Sequence, residues 1–252
     1  MKTKNKSNKK ASKTSMQPVQ HKIVSINRGK GHFRFALISV IVILVLYFYV
    51  DRSASLYFNE VRHTDLYSPF FWMQDTVNMI QVAIPYIYIY LIVMLYFKHF
   101  TYLEEFLFSA CNSLLIGISI KNLLKYIFGR NWTETFTHNN LSLIKDNAYG
   151  FNFFKGSEID GSFPSGHAVM IFSVMTVLWI MYPKFRWLSV VWCIVVVVGL
   201  LGCDFHFPSD IIAGAFIGII VAKFVIQASQ LYGRCEYFKN HKCSMNLDRN
   251  EK

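Results

Sequence analysis

Charge is what this sequence has least of. Only 16% of its 252 residues are Asp, Glu, Lys or Arg, against about a quarter in an ordinary soluble domain. The 53% hydrophobic residues are bunched into long runs and not set at amphipathic spacing. So few charges cannot cover a water-facing surface, which excludes a soluble globular domain and points to a bilayer as the solvent. Acidic residues are missing altogether from Met1–Arg34, which holds Lys2, Lys4, Lys6, Lys9, Lys10, Lys13, Lys22, Arg28, Lys30 and Arg34. The net charge of +11 could suggest nucleic acid, but no basic face interleaved with aromatics accompanies this run. Residues 1–34 read instead as a basic cytoplasmic tail that fixes topology and touches anionic headgroups. A disulfide framework is also lacking. The five cysteines are odd in number and irregular in spacing, with Cys111, Cys193 and Cys203 in or near apolar runs and Cys235 and Cys243 in the C-terminal tail. They read as reduced thiols.

What is present is a series of apolar runs long enough for membrane helices. They are Phe35–Val50, Met79–Phe97, Leu107–Leu124, Ala168–Tyr182, Trp187–Leu201 and Ile211–Ala228. The first follows a basic region and precedes Ser53-Ala54-Ser55, so it mimics a secretory signal. Its long basic lead and the spans after it make it an uncleaved signal anchor. The second contains Pro85 in an alternating Tyr/Ile stretch, but its length and apolarity favour a kinked helix over a strand. The expected fold is all-α, a polytopic bundle of six transmembrane helices over 35–228, with both termini inside. Lys98, Lys184, Arg186 and the tail 229–252 then fall on the inner side, as the positive-inside rule requires. The outer loops are mixed in charge. One of them, 131–163, is long, polar and rich in Asn, Gly, Ser and Thr. Gly214-x-x-x-Gly218 in the last span predicts close helix packing.

On this topology three polar groups converge at one membrane face, although they are far apart in sequence. Lys125 and Arg130 end the third span. Pro164-Ser165-Gly166-His167 opens the fourth. His206 and Asp210 lie between the fifth and sixth. Each suits phosphate. A helix start offers free amides and a favourable dipole to an anion. Pro164 is suited to its first turn, Gly166 permits close approach, and Ser165 adds a hydroxyl. His167 is placed as a general acid. Asp210, four residues after His206, can fix one ring nitrogen and leave the other free to attack phosphorus. Lys125 and Arg130 supply positive charge for the phosphoryl oxygens. Ionisable groups gathered at a membrane face tend to be functional.

These residues resemble the motifs of the type 2 phosphatidic acid phosphatase (PAP2) superfamily, in its bacterial membrane lipid phosphatase branch. The family has Lys-x6-Arg-Pro, Pro-Ser-Gly-His and Ser-Arg-x5-His-x3-Asp. Pro164–His167 matches the second in full, and His206-x3-Asp210 followed by Ile211-Ile212-Ala213-Gly214 resembles the third. Lys125–Arg130 resembles the first. The likeness covers about Lys121–Gly218. Two departures stand out. Counting from Lys125, the motif's arginine and proline fall on Trp132 and Thr133, and the third motif's Ser-Arg pair falls on Gly199-Leu200. Arg130, Lys121, Lys145 and Lys155 are the candidates to compensate.

The resemblance implies a phosphatase acting on a lipid phosphomonoester or pyrophosphate. His206 would be the nucleophile of a phosphohistidine intermediate and His167 the acid and then the base. Asp210 would orient His206, and Lys125, Arg130, Ser165 and Gly166 would bind phosphate. It implies no cofactor and no metal, membrane lipids as surroundings, and an integral protein of the bacterial inner membrane with its site facing the periplasm or exterior. Undecaprenyl pyrophosphate, phosphatidylglycerol phosphate, phosphatidic acid and lipid A phosphates are candidate substrates. The alternatives are a lipid phosphotransferase on the same site and a weakly active lipid-phosphate binder. The related haloperoxidases are soluble, and a transporter would need polar residues within several spans.

Overall fold

The computed structural model describes residues 30–97, 101–136, 139–155 and 161–250, with side chains described from 33 to 229 in those segments. Most of the basic tail, Lys98, and the side chains of Cys235 and Cys243 therefore lie outside the described residues. The described chain is helical. It runs α1 (Lys30–Tyr49), α2 (Asp51–Arg62), α3 (Tyr67–Tyr96), α4 (Tyr102–Phe128), α5 (Leu143–Asp146), α6 (Gly166–Met181), α7 (Arg186–Gly202) and α8 (Pro208–Asn250), with a 3₁₀ turn at Pro183–Phe185 before α7.

All six apolar runs lie essentially within helices, because a chain in hydrocarbon must satisfy its own backbone. Their lengths differ from the expectation. Four helices are long and apolar enough to cross a bilayer: α3, α4, the unit Pro183–Gly202 and the segment Pro208–Ser229. A fifth is reached if α1 and α2, bent by 66° at their junction, count as one span. With its 16 residues α6 is shorter. Six full-length spans are thus met only in part. Two elements were not expected. The mixed-charge stretch after the first run forms α2, and α3 starts at Tyr67, a dozen residues before the run Met79–Phe97. Pro85 sits inside α3 without ending it. The outward faces are apolar, with Leu37, Ile41, Ile89, Ile92 and Ile194 all exposed, as expected of helices solvated by lipid. The protein is an integral membrane protein.

Short α6 is the centre of the bundle. It packs most extensively against α8, then α4 and α7, while α3 pairs with α7 and α1 with α8. Its Ala168, Val169, Ile171 and Val177 are fully buried. The expected close packing of the last span is present. A Cβ on Gly218 would stand 2.7 Å from the Val169 carbonyl oxygen, and one on Gly214 2.5 Å from that of Ser165. Only glycine admits α6 at this distance, and that fixes the start of α6 against the start of α8. At the far end α4 opens on a capping box, with the Thr101 amide donating to Glu104 Oε2 at 2.7 Å and the Leu103 amide to Thr101 Oγ1 at 3.3 Å.

Candidate active site

Three chain segments meet where α4 ends and α6 and α8 begin. Ser165 caps α6, its Oγ accepting from the Ala168 amide at 3.4 Å. Pro164 precedes the cap and does not occupy the first turn, a correction to the expectation. The Phe163–Pro164 peptide is cis. The Ser165 amide donates to the Asp210 carbonyl at 3.1 Å, which ties the start of α6 to that of α8. With the Ala168 amide capped, the amides of Gly166 and His167 remain as the open donors of a helix start. Asp210 sits in the first turn of α8, where Pro208 is the first residue. Its Oδ2 accepts from the Phe207 amide at 3.3 Å and lies 3.6 Å from His206 Nδ1. That separation is longer than a hydrogen bond, yet it directs the carboxylate at the ring.

Two lysines one helical turn apart on α4 reach the same place. Lys121 lies over Gly166, since a Cβ there would come within 2.9 Å of its Cδ and 3.6 Å of its Nζ. Lys125 Nζ stands 4.9 Å from the centre of the Trp132 ring. The Trp132 ring is itself 5.2 Å from the His206 ring at an interplanar angle of 35°. Lys121, Lys125 and His206 all act electrostatically on His167, so both histidines and both lysines share one field. The Nε2 of His167 and the Nδ1 of His206 are buried with no hydrogen-bond partner in the protein. Burial holds the His206 imidazole below its ordinary value, against the opposing pull of Asp210. The neutral ring is the favoured form.

Lys121 is thus a site residue that sequence reading named only as one of several compensating cations. Of its rivals, Lys145 and Lys155 are exposed. Spacing alone carried the signal, because Lys121 and Lys125 are i,i+4 and share a helix face.

Arg130 was expected to hold phosphoryl oxygens; its guanidinium is fully buried and its terminal nitrogens are engaged within the protein. Nη1 donates to Asp210 Oδ1 and, at 2.7 Å, to Ser209 Oγ. Nη2 donates to Asp51 Oδ2 at 2.7 Å and to the Tyr149 hydroxyl at 3.2 Å. Phe207 lies 4.2 Å from the guanidinium carbon, with Tyr47, Tyr149 and Phe151 just beyond 5 Å. The two carboxylates hold both ends of its fork, and Nε alone is left without a hydrogen-bond partner. Asp51, Ser209 and Tyr149 were not foreseen, since each pairs with a residue distant in sequence.

The described parts of the loop 131–163 fold back over this end. Trp132 forms an isolated bridge with Ser142, and Arg130 with Phe151. The Thr133 hydroxyl donates to the Asp204 carbonyl. Asp204, two residues before His206, accepts from Ser55 Oγ at 2.9 Å, and burial raises its carboxyl to about 7. Among the described residues no three His, Cys, Asp or Glu side chains form a group suited to a metal ion.

No solved structure matches the chain. Over 68 residues it is 37% identical to the protein named bacitracin transport permease protein BcrC of Bacillus licheniformis. That alignment covers 27% of this chain and 34% of the relative, so the chain spans about a third of the length of this curated relative. The sequence profile described as the PAP2 superfamily matches residues 106–234, just over half of the chain. The match contains every residue of the two-lysine, two-histidine cluster, and on that basis the chain belongs to the PAP2 superfamily.

Proposed function

We propose that this protein hydrolyses a lipid phosphomonoester or pyrophosphate through a phosphohistidine intermediate. The observation that carries the reading is the meeting of His167, His206, Lys121 and Lys125 at the open amides of the α6 start. Membership of the family supports phosphoric ester hydrolysis, and the membrane surroundings support a lipid as the ester.

In the first step His206 attacks phosphorus. Asp210 faces Nδ1, which leaves Nε2 as the attacking atom. The N–P bond forms as the P–O bond to the leaving group breaks, and His167, protonated as the phosphate dianion brings its charge beside it, gives that proton to the departing oxygen. Lys121, Lys125, Ser165 and the Gly166 and His167 amides hold the three remaining phosphoryl oxygens, whose charge grows in the transition state. In the second step a water oxygen bonds to phosphorus, the N–P bond breaks, and His167 takes the water proton. The departures at Trp132 and Leu200 mean that lysines do here what arginines do in the family motifs. Topology follows the positive-inside pattern, with six crossings, the site facing the exterior or periplasm, and the basic tails inside.

The relative's name refers to transport. A transport path is not favoured for this chain. Its buried charges, Asp51, Lys121, Lys125, Arg130, Asp204 and Asp210, sit at the catalytic end, and the only such group at the far end among the described residues is Glu104.

The test is phosphate release by the purified full chain from micelles of phosphatidic acid, phosphatidylglycerol phosphate and undecaprenyl pyrophosphate, with His206→Ala as control. Turnover of at least one, lost in the variant, is expected. A variant with undiminished turnover would refute the mechanism. Transfer of the phosphoryl group to added lipid, in place of release, would establish the phosphotransferase alternative.

A further inference from the structure

The Asp51–Arg130–Asp210 chain ends on His206, and it carries one negative charge too many for a purely structural ion pair. All three side chains are 0% exposed. Arg130 gives one terminal nitrogen to each carboxylate. The second oxygen of Asp210 is then left facing His206 Nδ1 at 3.6 Å. The second oxygen of Asp51 accepts from the Ser209 amide at 3.0 Å, and the Ser209 hydroxyl donates to its first. Ser209 is the neighbour of Asp210 in the first turn of α8, so Asp51 also anchors the backbone that carries Asp210. Asp51 itself opens α2 at the bent junction with α1. It lies outside the segment that matches the family profile.

We infer that Asp51 is a positioning residue of the reaction: through Arg130 and Ser209 it holds Asp210 in line with His206 and keeps the charge of Asp210 available to that ring. This rests on the phosphohistidine reading above. An Arg130–Asp210 pair alone would be neutral and would offer a histidine little. Adding Asp51 leaves the buried group with a net charge of −1. In the reading above the buried Lys121 and Lys125 answer the charge of the phosphate, so the −1 of the Arg130 group is left to answer the ring of His206, which becomes cationic as it attacks phosphorus. The network therefore stabilises the attacked state more than the resting one, which is what lowers a barrier.

The other groups that face His206 are Lys125 of α4, Arg130 beyond it, His167 of α6 and Asp210 of α8. Lys121 of α4 faces His167, and Tyr149 of the outer loop faces Arg130. All of them remain in a variant at Asp51. Asp51→Asn keeps the shape and removes the charge. Arg130 then bears fully on Asp210, and the cationic ring loses support.

The test follows phosphate release by the full chain from phosphatidic acid micelles over about pH 4 to 9, with kcat and KM separated. For Asp51→Asn, kcat is expected to fall about tenfold or more with KM nearly unchanged, and the acid limb to move down by about half a pH unit. Asp51→Glu should return the acid limb and part of kcat. Ser209→Ala, which removes only the shared hydroxyl, should change both in the same direction by less. If Asp51→Asn loses thermal stability alone, with kcat and acid limb unmoved, the inference is wrong. If that variant does not fold, Ser209→Ala decides, and an unmoved acid limb there overturns it. His206→Ala run in parallel separates the two readings. Turnover retained by it removes the phosphohistidine mechanism, whereas an inactive His206→Ala beside a normal Asp51→Asn removes only the role of Asp51.

Discussion

Glu104 and Asp210 are both buried carboxylates in the first turn of a helix, at opposite ends of the bundle. Glu104 is saturated. The Tyr90 hydroxyl donates to one oxygen at 2.6 Å, and the Thr101 amide and hydroxyl donate to the other. Around Asp210 the saturation stops one atom short. Arg130 and a backbone amide hold it, but the next group along, His206 Nδ1, has no hydrogen-bond partner, and neither does Nε2 of His167. A closed set of hydrogen bonds fastens a helix. An open set, in a dry and charged surrounding, is poised to act on something else.

The largest expected effect breaks the open end. His206→Asn, which keeps part of the buried volume, should lower turnover on the order of 10⁴-fold or more with only a small loss in the thermal midpoint of unfolding, since Nδ1 makes no hydrogen bond. A large loss of midpoint would mean that His206 is structural and that the two ends are alike. Next is Arg130→Met, which strands Asp51 and Asp210. Breaking one partner out of a buried pair costs about 3–5 kcal/mol, so denaturant unfolding should show a loss of that order together with near-complete loss of activity. Arg130→Met with normal stability would contradict the placement of the guanidinium between the two carboxylates.

Smaller effects sharpen the contrast. Gly166→Ala puts a methyl group against the stem of Lys121, which can yield. KM should rise about tenfold with a lesser change in kcat. The acid limb of kcat/KM should lie below 6.5, the ordinary value for histidine, because burial lowers that of His206. The sign follows from the proposed mechanism, in which the neutral ring is the nucleophile. Activity is full above the ordinary value and is lost as the pH falls through the lowered one, and the ring's contribution to stability follows the same course. An acid limb above 6.5 would mean that the ring is not desolvated in the working enzyme. The smallest effect is at the closed end. Glu104→Gln should cost about 1–2 kcal/mol in stability and leave kcat within about twofold.

Much of the architecture is legible in the sequence, because hydrocarbon imposes long apolar runs and each run became a helix. The parts that were not legible have physical reasons. Residues 51–78 mix charges with aromatics, so neither α2 nor the first turns of α3 stand out by hydropathy. They pack on the end that carries the candidate site with one face and leave Leu56, Tyr57 and Trp72 exposed. The site splits the same way. Ser165, Gly166 and His167 are adjacent, and His206 and Asp210 are one turn apart, so local spacing reveals them. Arg130 meets its partners 79 and 80 residues away in each direction, and no local pattern records that. Its charge was legible and its direction was not.

The seam between α3 and α7 carries a consequence for how this chain can change over generations. Where the third family motif has its Ser-Arg pair, this chain has Gly199 and Leu200. Leu200 is wholly buried in the core, and a Cβ on Gly199 would meet the α3 backbone at 2.7 Å. An arginine restored at 200 would have to bury a charge among apolar side chains, and a serine at 199 would push two helices apart. The departure is therefore held in place by packing. An arginine there is excluded by packing and not by chemistry, so in the proposed reaction the positive charge at the phosphate has to come from other positions, with Lys121 and Lys125 the first of them.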